Sequence, residues 1–274
     1  AIDPNLTKPT NTTSFLFRDY FEIIFAQIVV GIAVVCQPHI ITKSLLLKEP
    51  KKINTYLFSG IAFMTVFFLV VITGLYARIG FPDLTVNGAP LKMDEIIPTY
   101  VVTRFSVGMG MIIVVGLISA GLSTLESLIQ ALSITVTSDI LKPLFKEKIK
   151  DDSMLINKGV IVALGAVSFI LSWRQITNPD VSVAIFAQNG VYAYFAAAFV
   201  PVLFGMFLKD VPLKAVFSAS VTAIAVHFGI YYGRITPYMQ ENVNNPGISA
   251  AIAIVLSLAV GYTVYAFRPK TNAT

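Results

Sequence analysis

The stretch GLISAGLSTLESLIQALSITVTSDI, Gly116–Ile140, decides how this chain folds. It is apolar for longer than the ~20 residues a helix needs to cross a bilayer, and it lacks the alternation of a transmembrane strand. It therefore reads as a membrane-spanning helix that carries its own polar chemistry. Ser123 and Thr124 lie about 100° apart around such a helix and share a broad face. The carbonyl of Ala120 is three and four residues back, and helical hydroxyls commonly bond to such carbonyls. Oxygen donors without a carboxylate suit a small hard cation such as Na⁺ better than Zn²⁺ or Mg²⁺. The same small residues, Ser119 to Ser123, also fit a close contact between two helices. Glu126 is costly at mid-membrane, by at least ~2.5 kcal/mol, so it must face protein or water. It fits a wet inner vestibule or the interfacial part of an emerging helix.

Outward from this stretch, the whole chain has a membrane composition. Of 274 residues, 55% are hydrophobic and 13% charged, and the mean hydropathy is +0.76. A soluble domain of this length carries about twice that charge. Seven apolar spans are expected, at residues 21–46, 55–79, 101–140, 160–173, 183–208, 213–232 and 248–267. Only closed helical hydrogen bonding satisfies such segments in lipid, so the fold class is all-α, a polytopic membrane helical bundle. Lysines follow the first span (Lys43, Lys48, Lys51, Lys52) and the third (Lys142, Lys146, Lys148, Lys150, Lys158). Lys209 and Lys214 follow the fifth, and Arg268 and Lys270 the seventh. The positive-inside rule then puts the N-terminus outside and the C-terminus in the cytoplasm, across a plasma (inner) membrane. The expected organisation is a polar external segment over residues 1–18, a seven-helix transmembrane domain over 19–268 and a cytoplasmic tail over 269–274. The net charge of +5 follows from these loops and is no signal for nucleic acid.

Other groups offer less. One cysteine, Cys36, excludes an internal disulfide, and His39 and His227 are too few and too distant for a zinc site. The sequons at Asn5, Asn11 and Asn272 are short patterns that chance supplies often. The first span holds VVGIAVVCQPHIITK, Val29–Lys43, in which Gly31 and Pro38 weaken the helix beside the amide of Gln37. Pro38 frees a carbonyl near position 34, which suits either a simple kink or a break that lines a cavity. Gln188, Asn189, Tyr192 and Tyr194 open the fifth span as an interfacial belt or an entrance, and Pro201 interrupts it. Trp173 fits an interfacial anchor.

The QPH element, the basic residues after it, and the Ser–Thr pair ending in SDI together resemble the sodium:solute symporter family. The resemblance covers nearly the whole chain after the polar N-terminus. It implies a leucine-transporter-like fold, of which this chain is the second inverted repeat plus two peripheral extra helices. It implies sodium-coupled symport by alternating access, with no enzyme activity and no cofactor beyond Na⁺ as coupling ion. Ala120, Ser123 and Thr124 would form a sodium half-site, and Gly31, Val34, Gln37 and Pro38 a substrate pocket or gate. The other half would come from helices preceding this chain, so the chain is expected to be a portion of a transporter, with those missing N-terminal helices, the solute, Na⁺ and the lipid bilayer as its partners. Proline transporters of the family carry a Trp and a Tyr eight and four residues before the QPH proline, where Val30 and Val34 stand here. The loop FPDLTVNGAPLKMDEIIPTYV, Phe81–Val101, is similar to that of pantothenate symporters, which points to pantothenate or another organic anion. The competing expectation is a symporter-like membrane sensor domain. A retinal protein is excluded, because the last span lacks a lysine.

Overall fold

The computed structural model describes residues 8–12, 14, 16–35, 47, 49–145, 153–178, 182–239 and 244–268. Among them the helices are α1 (Phe21–Val35), α2 (Ile53–Gly80), α3 (Ile96–Arg104), α4 (Val107–Leu144), α5 (Ser153–Thr177), α6 (Val183–Phe207), α7 (Leu213–Gly233) and α8 (Pro246–Ala266). Six of them, α2 and α4 to α8, are long and apolar enough to cross a membrane. The shorter α1 begins with a wide π turn, Phe21–Ala26. The architecture is an all-α polytopic membrane bundle. A small antiparallel hairpin, β1 (Thr85–Val86) and β2 (Ala89–Pro90), interrupts the loop after α2. Its Asn87–Gly88 turn has φ +51° and +80°, the left-handed pair that a two-residue hairpin requires.

Two expected spans are redrawn. Residues 101–140 are not one helix: α3 ends at Arg104 and α4 starts at Val107. Phe105 and Ser106 between them are extended, with ψ of 156° and 153°. Apolar averaging runs across this break, whereas the serine before Val107 is the kind of residue that precedes a helix start. The fourth span is longer than residues 160–173, because α5 covers Ser153–Thr177. Asn157, Lys158, Arg174 and Gln175 are helical at its polar ends, where long side chains can reach the interface. Residues 36–46 of the first span lie outside the described residues.

The chain divides into two units, Ala1–Val71 with Ala184–Thr274, and Ile72–Val183. In the first, α6, α7 and α8 pack through small residues. Ala215, Ala219 and Ala223 of α7 recur every fourth residue and are fully buried, which lets backbones approach closely. A Cβ on Gly261 of α8 would come within 3.0 Å of both Ala219 and Val200. Pro201 cannot supply the N–H that the Ala197 carbonyl would normally receive. The Ser220 hydroxyl of α7 donates to that carbonyl at 2.8 Å instead. The two C-terminal helices, expected as peripheral additions, carry much of the core of this unit. In the second unit, α4 and α5 meet near their charged ends, where Thr137 Oγ1 donates to Asn157 Oδ1 at 3.2 Å.

Candidate functional site

Helix α4 holds the hydroxyl pair on regular helix. Ser123 Oγ donates to the Ala120 carbonyl at 3.0 Å, and Thr124 Oγ1 donates to the same oxygen at 2.9 Å. Ser127 Oγ donates one turn on, to the Thr124 carbonyl at 2.9 Å. Spacings of three and four residues put both hydroxyls beside one oxygen without any tertiary help. All three oxygens lie on exposed residues. Ser123 and Thr124 each spend the hydroxyl proton on Ala120 and keep their lone pairs free. A cation at this face would meet those lone pairs as oxygen donors, with the hydroxyl protons still on Ser123 and Thr124. Glu126 is also exposed on α4 and forms no ion pair among the described residues.

The other expected site residues fall in the first unit. Gly31 is exposed, with open space where a Cβ would stand. Val34 is half-buried and packs on the apolar cluster of Val30, Ala33, Phe195, Ala250 and Ile254. Gln37 and Pro38 lie outside the described residues. Among the described residues no group of three His, Cys, Asp or Glu side chains is placed to hold a metal.

The structure adds two buried polar clusters that the sequence did not disclose, both in the first unit. His227 of α7 is fully buried. Its Nε2 lies 3.1 and 3.0 Å from the backbone and side-chain oxygens of Asn189. Its Nδ1 lies 3.1 Å from Ser249 Oγ. The Asn189 amide nitrogen donates to the Tyr232 hydroxyl at 3.2 Å, which turns the amide oxygen toward the ring. Two acceptors facing Nε2 assign the proton there in the neutral imidazole, and the one hydroxyl proton of Ser249 has two acceptors in reach, Nδ1 and the Pro246 carbonyl at 3.0 Å. This triad links α6, α7 and α8, and Asn189, read from the sequence as belt or entrance, is a core residue.

The second cluster lies at the N-terminal end of α1. Glu22 is fully buried and accepts from Arg18 Nη2 at 2.9 Å. It also accepts from the Arg18 backbone N–H at 2.7 Å and from Asn245 Nδ2 at 2.9 Å. Asp19 accepts from the Glu22 N–H and from the Tyr238 hydroxyl, at 2.9 and 2.8 Å. The Glu22 N–H, which outweighs the opposing effect of burial, holds Asp19 below its usual 3.8 with lesser help from the Tyr238 hydroxyl, the Phe21 N–H and the Arg18 charge. Burial, then the bond to Asp19, pushes the Tyr238 phenol up to about 12. Partners 219 and 223 residues apart leave no local sequence signal.

The model of the sodium:solute symporter family matches residues 1–222. The chain belongs to this family. No curated protein and no solved structure matches it. As a sodium:solute symporter it is a multi-pass membrane protein of a transporter family, and Na⁺ is the coupling ion of that family. The match runs through α1 to α6 and ends within α7.

Proposed function

We propose that Ala120, Ser123 and Thr124 form one half of a sodium site, and that Na⁺ bound there drives uptake of a small organic anion by alternating access. The observation that carries this is the convergence of two hydroxyls on the Ala120 carbonyl, at 3.0 and 2.9 Å, on an exposed helix face. A half-site needs oxygens from a facing helix to complete it, and an exposed donor face is what such a helix would meet. Gly31, Val34, Gln37 and Pro38 line or gate the solute path. Membership of the symporter family supports these roles, and the loop of residues 81–101 supports pantothenate or a similar carboxylate as the solute. The protein works in the plasma membrane with the N-terminal side of α1 outside, as the lysine-rich loops favour. The domain bounds are 1–18, 19–268 and 269–274. The membrane potential adds ~2.3 kcal/mol per charge per 100 mV to inward Na⁺ movement.

The test is counterflow of labelled pantothenate, and of labelled monocarboxylates, in proteoliposomes of the full-length protein. Uptake should depend on Na⁺, and the double variant Ser123→Ala, Thr124→Ala should need about tenfold more Na⁺ for half-saturation. Equal uptake in Na⁺ and choline would refute the coupling. Na⁺ dependence unchanged in the double variant would remove these residues from the ion site.

A further inference from the structure

We infer that the segment Arg18 to Val34, most of it α1, is clamped to the α7–α8 hairpin and moves with it as one rigid body, with Arg18, Asp19 and Glu22 as the positioning residues. This rests on the alternating-access reading above and limits which part of the gating helix can move.

The clamp is closed at every polar group it uses. Glu22 has no exposed side-chain surface, and its partner Arg18 has 11%. The guanidinium meets both carboxylate oxygens of Glu22, with Nε at 3.2 Å from each. It also donates from Nη2 to the Tyr238 carbonyl at 2.8 Å. Asn245 divides its amide between α1 and α8. Its nitrogen donates to Glu22, and its oxygen accepts from the Gly247 N–H at 2.9 Å, which caps the start of α8. The Tyr238 ring completes the joint: it stacks on Phe21 at 5.7 Å, lies 5.3 Å from the guanidinium carbon and donates its hydroxyl to Asp19.

An apolar layer lies in register with this polar one. Ala26, Ile230, Met239, Ile248 and Ala251 form one buried cluster. Val30 and Ala33 continue the same face of α1 into a second, with Ala250 and Ile254 of α8. A joint that opened in each cycle would expose a buried, fully bonded ion pair and two apolar contacts together. Opening would also strip Arg18, Asp19 and Glu22 of their partners across the joint, Tyr238 and Asn245. Residues Arg18 to Val34 therefore keep one position against α7 and α8 through the transport cycle.

The experiment tethers the joint in the full-length protein. Cys36 is replaced by Ser, Asp19→Cys and Tyr238→Cys are introduced, and a short bis-methanethiosulfonate reagent links the two thiols in proteoliposomes, expelling methanesulfinate at each. Uptake should stay within about twofold of the unlinked variant, since a static joint loses nothing when tied. Glu22→Gln should lower maximal uptake by about fivefold or more, with the apparent solute KM within about twofold. The same link placed in the Glu22→Gln variant should restore uptake. Loss of uptake on linking, or no rescue of Glu22→Gln, overturns the clamp. The linking rate measured in Na⁺ and in choline supplies a readout independent of transport: equal rates support the rigid body, and a severalfold fall in Na⁺ overturns it. Sodium-independent uptake by the unlinked protein would instead count against the proposed coupling alone.

Discussion

Helices α4 and α8 have the same mean hydropathy, 2.0, yet none of the apolar window of α4 is buried and half that of α8 is. Both are also rich in small residues. On α8, Ala250, Ala251, Ala253, Ser257 and Gly261 are buried against neighbours. On α4, Gly116, Ala120, Gly121 and Ser123 are exposed, and among the described residues nothing beyond the helix's own nearby backbone comes within 4 Å of a Cβ built on Gly116 or Gly121. Hydropathy reports that both helices belong in a membrane and is silent about what each one faces. The small-residue pattern is likewise common to a finished contact and to a face still open within its unit. What separates them is the chemistry of the hydroxyls. Ser257 is fully buried and bonds back to its own helix. Ser123 and Thr124 do the same in the open, at one shared oxygen.

The sharpest way to break this comparison is to insert the same bulk into both helices. Gly261→Leu drives side-chain atoms into Ala219 and Val200 and should cost about 3 kcal/mol, or prevent folding. Gly121→Leu enters open space and should change stability of the unit by under ~0.5 kcal/mol. Thermal unfolding in detergent reads both, and similar losses would erase the distinction. Next in size, Ser123→Ala with Thr124→Ala should raise the Na⁺ half-saturation of uptake about tenfold, or ~1.4 kcal/mol, with the unfolding temperature unchanged. A drop in stability without a change in Na⁺ response would make the α4 face a packing surface like that of α8.

Smaller still is the effect of Ser220→Ala, which strands the Ala197 carbonyl freed by Pro201. A loss of about 1 kcal/mol in thermal unfolding is expected, and Ser220→Thr should retain most of the stability. The smallest effect is that of pH on the turn Pro237–Met239. Asp19 is held below its usual 3.8, so its contribution is present above that pH and is lost as pH falls through its lowered folded value. Tyr238 is raised from 10.0 to about 12, so its contribution is present below pH 10.0 and is lost as pH rises toward 12. Hydrogen exchange in the turn should thus be level from about pH 5 to 9 once corrected for intrinsic rates. A step near neutrality would mean that another group governs the joint.

The comparison also explains what could be read from the sequence. Apolar runs located the membrane segments, because a bilayer imposes length and composition on each one locally. The convergence of Ser123 and Thr124 on Ala120 was legible for the same reason, since all its partners lie within one helical turn. The break at Phe105–Ser106 was not, because two apolar helices on either side dominate any average taken over it. The Arg18–Glu22–Asn245 joint was hidden by distance along the chain. Residues 18–22 look like the polar edge of a span, and only folding brings the α7–α8 connection against them. His227 was dismissed as a metal ligand, and its partners Asn189 and Ser249 come from two other helices.

The wide turn that opens α1 acts as a length standard. Glu22, Ala26, Val30 and Ala33 are the buried residues of this helix, and they fall at intervals of four, four and three. A regular α-helix advances about 100° per residue, so removing one residue from Phe21–Ala26 would turn Glu22 about a quarter of a circle away from Asn245 while Val30 and Ala33 kept their places. Point substitutions on the exposed face of this turn alter no spacing, whereas a single insertion or deletion puts the ion pair and the apolar seam out of phase. The segment should therefore tolerate changes of side chain far better than changes of length.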